Sequence, residues 1–177
     1  MKKRLIFGLL LAALLVFTPL VQAATPEAFI ARMGPLAQEI APQYGIPPSA
    51  FLGQAALESG WGTSWLAENA NNYFGRKCLA DPCVVIETPE YRNGVRVMEP
   101  HSFQVYESVE AAIHGYCKQF YRTWSSGARV YDFDGSSPEA FIRSIAPRYA
   151  TDPRYAEKVL SIIWEYDLEA WDKKETK

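Results

Sequence analysis

Apolar residues recur at three- and four-residue intervals along most of this chain, and one stretch breaks that rhythm. Thr25-Pro26-Glu27 reads as an N-cap, a proline at the first helical position and an acidic first turn. Phe29, Ile30, Met33, Leu36, Ala37 and Ile40 then follow helical spacing, with a kink predicted at Gly34-Pro35. Tyr44-Gly45-Ile46-Pro47-Pro48 ends that helix and opens a second one. There Ala50, Phe51, Leu52, Ala55, Ala56 and Leu57 leave almost no polar face, which predicts a central, buried helix. A short helix is expected over residues 64–69. The rhythm then changes: Val84-Val85-Ile86 and Val95-Arg96-Val97-Met98 flank Tyr91-Arg92-Asn93-Gly94. Asn-Gly between β-branched runs is a strong hairpin signal, so this is a two-stranded antiparallel ribbon. Helices resume behind Ser108 to about residue 121, again behind Ser137-Pro138-Glu139, and finally behind Asp152-Pro153. The last is expected to bury Val159, Leu160, Ile163, Trp164 and Leu168. With no repeat or linker in view, the class is α+β: a helical body with a small β-ribbon.

The first residues set the compartment. Lys2, Lys3 and Arg4 precede an apolar run over residues 5–17, and Val21-Gln22-Ala23 has the small-residue pattern of a cleavage site. Residues 1–23 therefore read as a secretory signal peptide. The run is shorter than the roughly 20 residues a spanning helix needs, so an uncleaved anchor is the weaker reading. Residues 24–177 suit one domain of about 150 residues. Three of the 18 basic residues and none of the 20 acidic ones lie in the leader. The exported domain is thus modestly acidic. That argues against nucleic-acid binding and against electrostatic attachment to membranes after cleavage. Export to the periplasm is expected, with secretion as the alternative. It also permits a disulfide across the short loop between Cys78 and Cys83, which by loop length contributes ~2 kcal/mol. Cys117 is left over, as a small buried hydrophobe in a helix.

Glu58 is the candidate for chemistry. It stands at the last turn of the apolar second helix, in Gln54-Ala55-Ala56-Leu57-Glu58-Ser59-Gly60-Trp61-Gly62. Burial among Leu57, Trp61 and their neighbours, and the negative end of the helix, both disfavour its ionised form. A carboxyl held protonated is a general acid. The glycines allow a sharp turn that aims Glu58 at a cleft. The plainer alternative is a solvated glutamate followed by helix-capping glycines. Glycosidic cleavage usually needs a second carboxylate, and Glu87 and Glu90 on the ribbon qualify equally, since Pro89 between them interrupts strand alternation; the plainer alternative is that both are solvent-exposed ribbon charges. Such a layout is the plan of a lysozyme-like glycosidase. His114 and Cys117, spaced i, i+3, lack a third orienting group and read as a buried helix pair. His101 offers no metal-ligand spacing and no phosphate-cradling loop is present, so neither metal nor cofactor is expected. Asn71-Asn72-Tyr73-Phe74-Gly75 is a turn, or else presents an amide to a sugar acetamido group.

Read in order, Ile46-Pro47-Pro48, the Gln54–Gly62 run, the Asn71–Gly75 run, Glu90-Tyr91-Arg92-Asn93-Gly94 and Tyr149-Ala150-Thr151-Asp152-Pro153-Arg154-Tyr155-Ala156 carry a resemblance. Over residues 29–168 the chain resembles the bacterial endo-β-N-acetylglucosaminidases of autolysins and flagellar cell-wall hydrolases. That resemblance implies a lysozyme-like fold and hydrolysis of the β-1,4 bond between N-acetylglucosamine and N-acetylmuramic acid in peptidoglycan strands. It implies Glu58 as catalytic acid, Glu90 rather than Glu87 as second acid, and Tyr149 as an active-site tyrosine. Gln54, Trp61, Asn72, Phe74, Tyr91 and Tyr155 are implied to line or support the cleft. The Cys78–Cys83 loop departs from the common pattern and is expected to reshape one lip. Arg148 replaces a residue that is frequently small. A muramidase or lytic transglycosylase on a similar fold, and a non-catalytic muropeptide-binding module, are the competing readings.

Overall fold

A computed structural model describes residues 25–92, 95–123 and 125–173, with the side chains of residues 90–92 outside the described set. The expected leader lies outside it too. Among the described residues, six α-helices, two strands and two 3-10 segments follow one another as α1 (Pro26–Ile40), a 3-10 turn (Ala41–Tyr44), α2 (Pro48–Ser59), α3 (Trp65–Ala70), β1 (Cys83–Arg92), β2 (Val95–Gln104), α4 (Val109–Gln119), α5 (Pro138–Tyr149), α6 (Tyr155–Glu165) and a second 3-10 turn (Leu168–Asp172). The caps are those the sequence supplies: Thr25, Ser64, Ser108 and Ser137 each accept a backbone N–H of the first turn. α1 runs through Gly34-Pro35 without a break.

α2 is the axle of the body, packed against α1, α5, α6 and the C-terminal 3-10 turn. All of its residues from Pro48 to Ala56 are buried, Gln54 and Ser49 included. Its N-terminal end is held by Asp172, whose carboxylate accepts from Ser49 N at 2.8 Å and Ser49 Oγ at 2.7 Å. A carboxylate there also complements the positive end of the helix. Gly53 lets α6 approach: a Cβ at this position would sit 2.7 Å from Ile163 Cγ1 and 3.2 Å from Val159 Cγ1. Gly53→Ala is therefore expected to overpack the α2–α6 contact and cost about 1–3 kcal/mol, seen as a fall in Tm. An unchanged Tm would mean that the two helices slide apart freely.

α6 buries Val159, Leu160 and Ile163, and Leu168 follows in the 3-10 turn. Trp164, expected with them, is instead 55% exposed. It lies one step past Ile163, on the edge of the stripe that turns to solvent.

β1 and β2 pair antiparallel in an unbroken register from Cys83↔Gln104 to Arg92↔Val95. The ladder passes straight through Pro89↔Met98, so Pro89 does not disturb alternation as expected. In a two-stranded ribbon every strand has a free edge, and a proline whose nitrogen faces that edge costs no ladder bond. The ribbon's foot is fastened to the body. Cys78 N donates to Ser102 O and Gln104 N to Arg76 O, both at 3.0 Å. The Cys78–Cys83 disulfide is formed, and the Gln104 side chain fills its loop, donating to Ala80 O at 2.7 Å and Pro82 O at 3.1 Å.

Candidate active site

The C-terminal end of α2 opens on a cleft of about 670 Å³. Three consecutive left-handed residues, Gly60 (φ 56°), Trp61 (φ 60°) and Gly62 (φ 79°), stop the helix and reverse the chain. Gly60 and Trp61 both donate their N–H to Ala56 O, closing the helix end. The reversal leaves Glu58 on the cleft wall with Leu57 beside it. It also carries Trp61 away. The indole packs edge-on to Phe29 (5.8 Å) and Tyr166 (4.6 Å) and does not line the cleft. Trp61 thus packs behind the turn and is not among the residues that line the cleft beside Glu58.

Glu58 is open to the cleft's own water, yet its carboxyl titrates above the usual carboxylate range. Desolvation by the surrounding protein is the main cause, and a hydrogen bond with Tyr155 opposes it in part. Phe74, Tyr149 and Tyr155 line the same cleft as Glu58.

Behind the carboxyl runs a polar chain through the core. Tyr116 Oη, from α4, donates to Gln54 Oε1. Gln54 Nε2 donates to Tyr155 Oη at 2.7 Å. With its lone pair occupied, Tyr155 directs its own proton toward Glu58. Burial pushes the Tyr155 and Tyr116 hydroxyls far above the ordinary phenol value, so both remain donors at any working pH. The rings around this chain are stacked: Tyr149 on Tyr155 at 5.3 Å and Phe74 on Tyr116 at 4.0 Å. Phe74, Tyr149 and Tyr155 line the cleft, whereas Gln54 supports it from a fully buried position.

Asn72 is buried and its amide is used within the protein. Nδ2 donates to Arg76 O and Gln104 O, and Oδ1 accepts from Arg76 N, all at 2.9 Å. It fastens the segment leading into the ribbon and has no donor left for a sugar. Glu87 is exposed on the ribbon opposite Pro100 and does not line the cleft. Glu90 pairs with Val97 at the same register parity as Ile86 and Thr88; its side chain, like that of Tyr91, lies outside the described residues. Among the described residues, no cleft-lining side chain comes from β1 or β2. The wall on that side is made by Arg76, Lys77 and Leu79 at the ribbon's foot, which places the disulfide loop at a lip.

Several cleft residues had no signal in the sequence. Arg76 follows directly on the Asn71–Gly75 run, and Gln119, Arg122 and Tyr131 come from α4 and the loop after it. Thr151, Asp152 and Lys158 close the opposite end, where Lys158 Nζ meets Asp152 Oδ2 at 2.5 Å. The His114–Cys117 pair is not a reactive centre. Tyr44 Oη and His114 Nδ1 are 2.8 Å apart, and burial pushes the Cys117 thiol up to about 12.

Comparison with known proteins agrees with this geometry. Residues 34–168 match the glucosaminidase family, described as mannosyl-glycoprotein endo-beta-N-acetylglucosaminidase. The exo-glucosaminidase LytG of Bacillus subtilis is 34% identical over 150 residues, covering 82% of this chain and 53% of LytG. The peptidoglycan hydrolase FlgJ of Vibrio cholerae is 35% identical over 148 residues, covering 80% and 44%. A probable N-acetylmuramidase of Lactococcus lactis is 32% identical over 170 residues, covering 88% and 37%. The chain thus spans about half or less of the length of these relatives. Among solved structures, the catalytic domain of the Listeria monocytogenes autolysin Auto superposes with a TM-score of 0.76 at 27% identity, covering 83% of this chain and 87% of that domain. The glycoside hydrolase domain of Salmonella typhimurium FlgJ, C-terminally truncated, gives 0.63 at 31% identity, covering 81% and 98%. The fold is lysozyme-like, and the chain belongs to the glucosaminidase family.

Proposed function

We propose that this protein is a peptidoglycan hydrolase that cuts the β-1,4 bond between N-acetylglucosamine and N-acetylmuramic acid, with Glu58 as general acid. The observation that carries the reading is a carboxyl biased toward its protonated form on the wall of an open, aromatic-lined cleft. Glycosidic oxygen leaves as an alcohol only if a proton reaches it in the transition state. Glu58 is placed to supply that proton. The Tyr155 proton steadies the carboxylate it leaves behind. Tyr149, partly buried beside them, is proposed to hydrogen-bond the sugar or the charge developing on it. Glu90 is proposed as the second carboxylate, activating water or orienting the substrate acetamido group, with Tyr91 beside it. Phe74 offers an aromatic edge at the cleft. Residues 1–23 are proposed as the leader that delivers the domain to the cell wall. Wall-degrading relatives support that compartment, and no helix among the described residues is long and apolar enough to cross a membrane.

Digestion of purified sacculi, followed by borohydride reduction and mass spectrometry, tests the reading. N-acetylglucosamine reducing ends are expected. Muramic-acid ends would transfer the enzyme to the muramidase reading, which the Lactococcus relatives' name favours. Tight binding without any turnover would make it a binding module instead.

The raised pKa of Glu58 gives a pH profile its sign. Protonated Glu58 is the active form, so kcat/KM is expected to hold on the acidic side and fall as pH rises through the Glu58 pKa, above that of a free glutamate. A rising limb there, with no descending one, would remove Glu58 from the acid role.

A further inference from the structure

The cleft is unevenly charged, and its basic end faces no carboxylate partner among the described residues. Arg76, Lys77 and Arg122 lie on one side and make no ion pair among the described residues. On the other side, the one cation, Lys158, is already matched by Asp152. This basic end belongs to a domain whose overall balance is acidic.

Two donors at that end are also unsatisfied: Arg76 Nη1 and Gln119 Nε2 are buried and have no hydrogen-bond acceptor among the described residues. Buried donors without acceptors are uncommon in folded proteins and mark a place where a group is missing. Both residues line the cleft, as does Arg122 one turn beyond Gln119, so a side-chain rotation brings each donor to a bound acceptor. Arg76 is held ready for this. Asn72 grips its backbone N–H and C=O together, and its guanidinium also reaches Tyr106. The loop geometry thus fixes the base of the side chain, and its head keeps one free donor edge.

We propose that Arg76, Gln119 and Arg122 form a carboxylate-binding subsite that engages the acidic groups of muramoyl residues, the lactyl carboxylate or the carboxylates of the peptide stem. This rests on the peptidoglycan reading above and adds a specificity to it: the cleft selects muramoyl-containing strands over neutral N-acetylglucosamine polymers. Two guanidinium groups and an amide suit a planar, two-oxygen acceptor better than a hydroxyl. The net positive field also concentrates anionic strands at the cleft mouth.

The test uses the exported chain carrying Glu58→Gln, so that strands stay whole, and measures binding by calorimetry to three soluble probes. The first is peptide-bearing glycan strands. The second is the same strands stripped of peptides by an amidase, which retain the lactyl carboxylate. The third is stripped strands whose carboxylates have been coupled to methylamine. The Kd is expected to rise roughly ten- to a hundredfold from the second probe to the third, the loss of a charge-assisted hydrogen bond. If only peptide-bearing strands bind tightly, the stem is the source of the carboxylate and the subsite stands. Adding Arg122→Gln, an exposed position, or Arg76→Gln is expected to shrink toward one the ratio between the tightest-binding carboxylate probe and the methylamine-coupled strands. Equal affinity for all three probes overturns the proposal, as does no binding to any of them, or a ratio that both variants leave unchanged. These outcomes are separate from the hydrolase reading, which is decided by whether the parental chain digests sacculi.

Discussion

Glu58→Gln is expected to lower the rate of sacculus digestion by about a hundredfold to ten-thousandfold, the range a general acid contributes, while leaving the fold intact. Glutamine fills the same space and still accepts the Tyr155 proton, so the only capacity removed is proton donation. The stability effect has the opposite sign. The Glu58 pKa is raised in the folded state, mainly by desolvation. Between the unfolded and folded pKa values the native protein therefore binds more protons than the unfolded chain, and stability falls as pH rises through that window. Above it, the parental chain carries the full cost of an ionised, poorly hydrated carboxylate, which the neutral amide does not. The variant is therefore expected to melt at the same temperature or higher at pH 7–8, and the difference should vanish below the pKa of a free glutamate. Parental turnover in this variant would remove Glu58 from the acid role, and a melting temperature that falls relative to the parent between pH 4 and pH 8 would show that the fold stabilises the ionised carboxylate and not the protonated one.

What the sequence revealed and what it hid divide along a physical line. The buried helix ending in Glu58 was legible because nine successive positions with scarcely a charge, then two glycines, leave few other folds open. The ribbon was legible from Asn93-Gly94, although its continuity through Pro89 was not: the cost of proline depends on which edge is free, and that is a tertiary fact. Trp164 belonged to the apolar stripe by spacing, but spacing does not say where the edge of a stripe meets water. Trp61 stands three residues from Glu58, so proximity suggested one environment for both. The chain reverses between them through left-handed Gly60, with Trp61 and Gly62 left-handed as well, and only the two glycines advertised any of that. The supporting partners of Glu58 were half visible. Gln54 sits one helical turn earlier on α2, whereas Tyr116 and the basic residues of the cleft come from elements far along the chain and carry no local signature.

Gln54→Leu is expected to be the most damaging substitution that touches no substrate. The side chain is fully buried and joins two hydroxyls, accepting from Tyr116 and donating to Tyr155 at 2.7 Å. Leucine matches its bulk but leaves the Tyr116 proton buried with no acceptor and frees Tyr155 to turn its own proton away from Glu58. Unmade bonds at two buried hydroxyls should cost about 2–4 kcal/mol, which for a domain of this size lowers Tm by roughly 5–15 °C. The kinetic loss should fall on kcat more than KM if Tyr155 acts chiefly through its hydrogen bond to Glu58, as proposed. Tyr116→Phe alone removes one hydrogen bond without stranding a donor, and about 1 kcal/mol is expected. The decisive comparison is the double variant. If the stranded Tyr116 proton is the cause, adding Tyr116→Phe to Gln54→Leu restores part of the lost stability, a non-additivity of the kind neighbouring groups show. It should not restore kcat, because Tyr155 still lacks the amide that orients it. Simple addition of the two losses would instead point to packing around Gln54, and the polar chain would then be a consequence of that packing and not the device that aims Tyr155 at the Glu58 carboxyl.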